Sequence, residues 1–130
     1  EIPSKLSAAE EEKLKPLFEG AVNKEKFTVQ FESMPEQDAP ILITQPEFIR
    51  RMMEQQRMGG GGFYGAFPEM YQLVVNGNHP VMSKVLKMKS ARQQETVKQL
   101  VDLAMLSQGL LKGEALTEFI QRSVSGMVES

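Results

Sequence analysis

Few side chains in this sequence are of types that carry out chemistry, and their spacing matches no catalytic or metal-ligand pattern. His79 is the single histidine, and cysteine is absent. Because neither a second histidine nor a nucleophile signature accompanies His79, the sequence from Asn76 to Pro80 predicts a turn and a helix start rather than a general base. Met52, Met53 and Met58 could offer thioethers to Cu(I), but their spacing is that of an amphipathic helix. We therefore expect no catalytic and no metal-binding residues.

A glycine run and an aromatic cluster are the next candidates. Gly59 to Gly62 lack the following Lys-Ser/Thr of a phosphate-binding loop, and they follow a predicted helix rather than a strand. The run therefore predicts a mobile loop instead of a nucleotide site. The aromatic side chains of Phe63, Tyr64 and Phe67 could stack on bases, but stacking platforms need a basic groove beside them. The acidic balance of the chain disfavours that use.

The bulk composition favours one ordinary globular domain. The chain has 130 residues, of which 41% are hydrophobic and 25% charged, and its formal net charge is −2. These values disfavour broad binding to nucleic acid or to an anionic membrane. There is no run of 18 apolar residues, no signal-peptide pattern and no cysteine, which fits a cytoplasmic protein. The chain begins at Glu1 rather than at a methionine, so we expect a fragment of a longer protein.

The elements that must position these residues alternate between helices and short strands. Capping boxes begin the helices after Ser7, Thr44 and Ser90. Alternating apolar residues predict a strand at 27–31, an apolar run predicts a second strand at 41–43 paired with the first, and 68–75 predicts a third. The remaining predicted helices cover 81–88 and 114–128, and the helix after Ser90 extends to about Gln108.

The predicted helix after Thr44 is amphipathic. At 100° per residue, one face carries Phe48, Ile49, Met52, Met53 and Gln56. Two interpretations stay open: the pattern alone favours packing in the domain's own core, and the alternative is a surface for varied apolar partners. Methionine is flexible and polarizable, which favours such adaptable surfaces.

The last two predicted helices carry more apolar surface than one neighbour can cover. The first is apolar over most of its circumference, with a polar strip of Lys98, Gln99 and Asp102. The short link after it predicts an antiparallel hairpin. This hairpin either closes the core of the domain or forms a dimer, and composition does not choose between the two.

The order of elements and three sequence stretches resemble the C-terminal domain of the 90-kDa heat-shock chaperone family, called HtpG in bacteria. The stretches are Asp38 to Thr44 before the Met-rich helix, followed by Pro68 to Pro80, and Leu103 to Gly109 before the last helix. The resemblance covers essentially the whole chain. It differs at Gly77-Asn78 in the turn, in the glycine run, and in an end that lacks the Met-Glu-Glu-Val-Asp tail, which indicates a bacterial-type member.

This resemblance implies roles for particular residues. In the family, the last two helices of each protomer form an intermolecular four-helix bundle, so residues 96–128 would be the dimerisation hairpin. Its interface would comprise Leu100, Leu103, Ala104, Leu106, Leu110, Leu116, Phe119, Ile120, Val124 and Met127. The family's amphipathic helix contacts client proteins, which here implies residues 45–67 with Phe48, Ile49, Met52, Met53, Met58, Phe63, Tyr64 and Phe67. ATP and Mg belong to domains outside this chain, so the fragment would hold no cofactor and have no ATPase activity.

We therefore expect a single α+β domain over 1–130, with a small three-stranded sheet packed with helices and ending in the hairpin. The expected function is homodimerisation and contact with unfolded clients within an ATP-dependent chaperone, without nucleic acid or membrane as partners. The alternative is a peripheral membrane or partner-binding adaptor that uses the Met-rich helix. A small enzyme is the third class, and no residue constellation supports it.

Overall fold

The computed structural model describes residues 2–59 and 69–129 and has an α+β fold, as the sequence predicts. Five helices and three strands follow one another in the described part of the chain. Their bounds are α1 Ala8–Glu19, β1 Phe27–Glu32, β2 Ile41–Thr44, α2 Glu47–Gly59, β3 Tyr71–Asn76, α3 Pro80–Leu86, α4 Ser90–Ser107 and α5 Gly113–Glu129.

The three strands form a mixed sheet in the order β1-β3-β2. β1 runs parallel to β3, and β2 runs antiparallel to it. The predicted pairing of the first two strands is therefore wrong. The physical reason lies in β3, where Leu73, Val74 and Val75 are all buried, so this strand is apolar on both faces and takes the centre. β1 and β2 alternate between buried and exposed residues and form the edges.

One face of the sheet carries the core. Rows of side chains cross it in register, such as Val29, Leu73 and Ile43. Helix α1 lies against β1, and α4 lies against β2, while α3 packs beside both helices. The Phe18 ring of α1 meets the Phe31 ring of β1 edge to face at 6.2 Å, which fixes how the helix sits on the sheet.

A buried asparagine at the end of β3 holds the connection between the two edge strands. Asn76 is 0% exposed, and its Oδ1 accepts hydrogen bonds from the backbone N–H groups of Met34 and Asn78. Its Nδ2 donates to the carbonyl oxygens of Pro35 and Ala39. The loop from 33 to 40 can therefore cross the end of the central strand with its backbone groups satisfied.

Asn78 anchors the first residues of the domain in the same way. Its Oδ1 accepts from Lys5 N at 2.7 Å, and its Nδ2 donates to the carbonyl oxygens of Pro3 and Met34. Beside it, a Cβ on Gly77 would lie 3.3 Å from Leu6 Cδ1, which is tighter than ordinary contact. The turn from Asn76 to Asn78 therefore joins three segments that are distant in sequence.

The predicted capping boxes have different outcomes. Ser7 and Glu10 form theirs as predicted. Thr44 does not, since it is the last residue of β2 and its hydroxyl bonds Gln72 Oε1. Ser90 is already helical, and the N-cap of α4 is Lys89 without a side-chain bond. The hydroxyl of Thr44 thus has a partner across the sheet instead of at the start of α2, whereas α4 begins one residue earlier than predicted.

Candidate functional site

His79 is a structural residue of the turn that follows β3. It is the N-cap of α3, and its Nδ1 accepts a hydrogen bond from Val81 N at 3.0 Å. That bond occupies the imidazole lone pair that a general base would need. The prediction that His79 begins a helix is therefore confirmed.

The described residues offer little for other chemistry. Across 2–59 and 69–129, there is no group of three or more His, Cys, Asp or Glu side chains that could hold a metal ion. Within the same ranges, no helix is long and apolar enough to cross a membrane.

Helix α2 begins after Pro46, whose carbonyl accepts from the N–H groups of Ile49 and Arg50. Its backbone makes no close approach to the backbone of another described helix or strand. Side chains therefore hold it in place, and Ile49 among them is fully buried. On its outer side, Arg51 pairs with Glu47 at 2.8 Å across one helical turn.

The apolar face of α2 combines one fully buried side chain with several that are partly or largely exposed. Ile49 is fully buried, whereas Met52 and Met53 are half-buried. Phe48 is 51% exposed and Met58 82%. Ile49 thus anchors the helix, and the remaining four present large flexible side chains to solvent to differing degrees. Phe63, Tyr64, Phe67 and the predicted mobile glycine loop lie outside the described residues.

The two C-terminal helices are joined through polar groups as well as apolar ones. Asp102 of α4 is 2% exposed and forms ion pairs with Arg122 of α5 and with Lys98, the latter at 3.1 Å. Gln99 donates to Ser123 Oγ at 2.6 Å and accepts from Arg122 Nε. The polar strip that the sequence showed on α4 therefore faces α5 and fixes how the two helices cross.

Sequence reasoning did not single out Asp102 and Arg122 as a buried pair. A signal was present, because Asp102 lies between Val101 and Leu103 in a helix that is apolar over most of its circumference. A carboxylate in such a helix needs a cationic partner if it is to be buried. Which cation supplies that partner depends on the hairpin geometry, so the sequence alone could not name Arg122.

An apolar stripe runs along the outer side of α5. Ile120 is 52% exposed, Val124 53% and Met127 74%, at helical spacings of four and three residues. On α4, Leu103 and Leu106 are 49% and 43% exposed. We call these five residues the hairpin apolar face. Scattered apolar residues are normal on surfaces, but a stripe at this spacing along a hairpin is a candidate contact surface.

The other predicted interface residues face inward. Leu100, Ala104 and Leu110 pack against the core as partly buried residues. Phe119 is 7% exposed, and Leu116 is half-buried. Of the residues implied as an interface, the fold thus brings five to the surface and uses five, wholly or partly, to hold the hairpin on the domain.

No protein-family model matches the chain. Comparison with curated proteins finds relatives over most of its length. The chain is 31% identical, over 92% of its residues, to the chaperone protein HtpG of Porphyromonas gingivalis. It is 26% identical over 92% of its residues to the HtpG of Bacteroides fragilis, and 25% identical over 79% to that of Bacteroides thetaiotaomicron.

These relatives define the class of this chain as a molecular chaperone domain. It belongs to the HtpG family, the bacterial 90-kDa heat-shock chaperones, as the sequence resemblance predicts. The chain spans about 28% of the length of these curated relatives. The aligned stretch of 188 residues is longer than the chain itself, so those relatives contain residues that have no counterpart here.

Proposed function

We propose that this chain is the homodimerisation and client-contact module of an ATP-dependent chaperone that acts in the bacterial cytoplasm. Residues 1–130 form this single module, residues 96–128 form its dimerisation hairpin, and residues 45–67 form its client-contact segment. Nucleotide binding and hydrolysis, with ATP and Mg, take place elsewhere in the longer protein.

The observation that carries the proposal is the hairpin apolar face. Its members on α5 repeat at four and three residues, which is the spacing at which apolar residues of one helix seat against another helix. Burying a half-exposed Ile or Val side chain contributes on the order of 1 kcal/mol, and a two-fold contact counts every residue twice. A second copy of the hairpin would therefore complete a four-helix bundle.

Helix α2 supports the client-contact part of the proposal. It exposes Phe48 and Met58, and it has two half-buried methionines between them. Such side chains adapt to varied apolar partners because methionine has many accessible rotamers. Unfolded clients share exposed apolar segments rather than one sequence, so an adaptable surface suits them.

Charge placed on the hairpin apolar face tests the dimer. We expect the unmodified chain to scatter light as a dimer at tens of micromolar and the variant I120D/V124D to be a monomer, because each aspartate would be buried without a partner. The matched control is Q121D/S125D, which adds the same charges at the same spacing on the neighbouring, polar side of α5. A monomeric unmodified chain, or a variant that stays dimeric, contradicts the proposal.

Phe119 is a less suitable position for a charge that tests the dimer. That side chain is 7% exposed within a single chain, so its change to aspartate would disturb the domain itself. Ile120 and Val124 are both more than half exposed, and their substitution should leave the folded monomer intact. Loss of the dimer can then be separated from loss of the fold by circular dichroism.

A further inference from the structure

A long stretch of this acidic chain contains no carboxylate. Residues 70–94 include neither Asp nor Glu, although the whole chain has 17 of them. Four cations, Lys84, Lys87, Lys89 and Arg92, fall within nine residues of this stretch. Charges of one sign without interleaved opposite charges create a local positive potential, even where the net charge is negative.

The fold gathers these cations around one corner between α3 and α4. Lys84 lies in the last turn of α3, Lys87 is its C-cap, and Lys89 is the N-cap of α4. Arg92 lies in the first turn of α4. All four side chains are exposed. We call these four residues the basic corner.

The backbone of the basic corner is fixed by side chains from α4. Gln93 Nε2 donates to the carbonyl oxygen of Val85 at 3.0 Å, and Thr96 Oγ1 donates to Met88 Sδ at 3.4 Å. Val85 and Val97 are fully buried beneath the corner. The cations therefore extend from a backbone that is already ordered. Binding of a partner would not carry the free-energy cost of ordering that backbone.

None of the four cations forms an ion pair with a carboxylate of the described residues. By contrast, Lys98 and Arg122, a few residues further on, are both committed to Asp102. The positive charge of the basic corner is thus not neutralised by the domain that carries it, and an external anion can pair with it.

The surroundings of the basic corner favour a short acidic peptide over an extended polyanion or a membrane. None of the large exposed apolar residues of the described chain falls within 80–92, so the corner itself offers no side chain that could insert into a bilayer. No aromatic ring lies in this range to stack on bases. A compact cluster of lysines suits a few carboxylates held close together.

We infer that the basic corner is a docking site for an acidic segment of a partner protein, distinct from the hairpin apolar face and from α2. Carboxylates of the segment pair with the lysine ammonium groups, and Arg92 offers a planar donor pair for one of them. Contacts of this kind are exposed and sensitive to salt, so they give a fast, reversible association.

The adjacent groove limits how far that segment extends. Arg92 also lines a polar groove of about 710 Å³ between α4 and α5. Beyond Arg92, the groove is lined by Glu95, Glu118 and Glu129, whose charges repel an acidic chain. The acidic part of the partner should therefore be only a few residues long and should end at Arg92.

The test measures fluorescence anisotropy of a labelled peptide of six glutamates, compared with the same peptide carrying glutamines. The variant K84Q/K87Q/K89Q removes three charges of the basic corner. The control K13Q/K15Q/K24Q removes three exposed lysine charges elsewhere, so both variants have the same net charge. We expect binding of the glutamate peptide alone, a loss of about tenfold in the corner variant, and little change in the control.

Two further measurements separate the alternatives. Amide chemical-shift changes on adding the glutamate peptide to the unmodified chain should concentrate in 84–92, whether or not the variants fold. Sedimentation with vesicles of equal parts zwitterionic and anionic phospholipid should leave the chain in solution. Four outcomes would each overturn the inference. Both triple variants could lose the same affinity for the glutamate peptide, or the glutamine peptide could bind as tightly as the glutamate peptide. The amide chemical-shift changes could be centred outside 84–92, or the chain could sediment with the vesicles.

Discussion

Asn76 and Asn78 show what a buried amide can do that a carboxylate of the same shape cannot. Asn76 accepts two backbone hydrogen bonds through one atom and donates two through another. Among the described residues, no buried side-chain nitrogen or oxygen lacks a partner. The turn after β3 therefore depends on a side chain that accepts through one atom and donates two hydrogen bonds through another, which only the amides of asparagine and glutamine provide.

The first prediction concerns Asn76→Asp. The change keeps the size of the side chain but removes both donors and places a charge at a site that is 0% exposed. Two carbonyls then lose their partner, so the free energy of unfolding should fall by more than about 2 kcal/mol, measured by urea titration. Asn23→Asp is the control, since Asn23 is exposed and uses only its acceptor, to Glu25 N. Equal stability of the two variants would contradict this account of the turn.

The second prediction concerns the buried pair between α4 and α5. Arg122→Leu removes the cation that faces Asp102 and leaves a carboxylate that is 2% exposed with Lys98 alone. We expect unfolding to become easier by about 1–3 kcal/mol. Lys98→Gln should cost less than about 1 kcal/mol, because Lys98 is 43% exposed and water replaces its bond. Denaturant midpoints measure the two effects. A loss for Lys98→Gln as large as that for Arg122→Leu would contradict the prediction.

At the scale of the element, α3 depends on its cap. His79 accepts a hydrogen bond from a backbone N–H at the start of a helix that is only seven residues long. The cap therefore contributes a large part of the local stabilisation of this helix. Short helices gain little from propensity alone. Its two buried residues, Met82 and Val85, hold its other side on the core.

The third prediction is that His79→Ala lowers stability by about 1 kcal/mol, whereas His79→Asn, which can still accept from the N–H of Val81, stays within a few tenths of the parent. Melting temperatures of the three chains measure this. If His79→Asn were as unstable as His79→Ala, capping would not be the main role of His79.

The fourth prediction concerns α2 and tests its proposed contact with clients. Met52 and Met53 are half-buried, so M52S/M53S should lower the melting temperature by only a few degrees and leave the dimer intact. The same pair of changes should weaken suppression of client aggregation by the full-length chaperone, because apolar area is lost. Ile49→Ser is the contrasting variant, and burial of Ile49 predicts a loss of about 2–5 kcal/mol.

The outcomes for α2 are separable. A large drop in melting temperature for the methionine variant would place both residues in a core. Unchanged suppression of aggregation with an intact fold would remove the client role from this face. Only a stable variant with poorer suppression supports the proposal.

At the scale of the whole molecule, the proposed dimerisation would couple stability to concentration. If the folded chain pairs through the hairpin apolar face and the unfolded chain does not, mass action raises the apparent stability as concentration rises. α5 packs only on α4 among the described elements, so it should gain the most from a partner. The dimer would thus complete a part of the fold that one chain leaves open.

The fifth prediction follows from this coupling. The melting temperature of the unmodified chain should increase by several degrees over a hundredfold rise in concentration. That of I120D/V124D should stay constant, whereas Q121D/S125D should behave like the parent. Calorimetry at several concentrations measures the shift, and a melting temperature that is constant in all three chains would refute coupling through this face.

Local sequence alone determined the extents of most elements and several of their ends. Ser7 and Glu10 form the predicted capping box, and Gly109 adopts the left-handed conformation expected after α4, with a φ of 71°. These features depend on neighbours three or four residues away, which the sequence displays directly. The same local signals gave α+β as the fold class, and the family stretches gave the chaperone assignment.

Tertiary structure decided what depends on partners distant in the chain. The sequence after Thr44 has the pattern of a capping box, but the Thr44 hydroxyl donates a hydrogen bond to Gln72 across the sheet. Asp102 belongs to the polar strip predicted on α4, and its burial depends on the ion pair with Arg122 of α5. The order β1-β3-β2 likewise follows from β3 being apolar on both faces, together with a loop that Asn76 can hold. Sequence periodicity shows which side of an element is apolar, whereas only packing chooses the element that covers it.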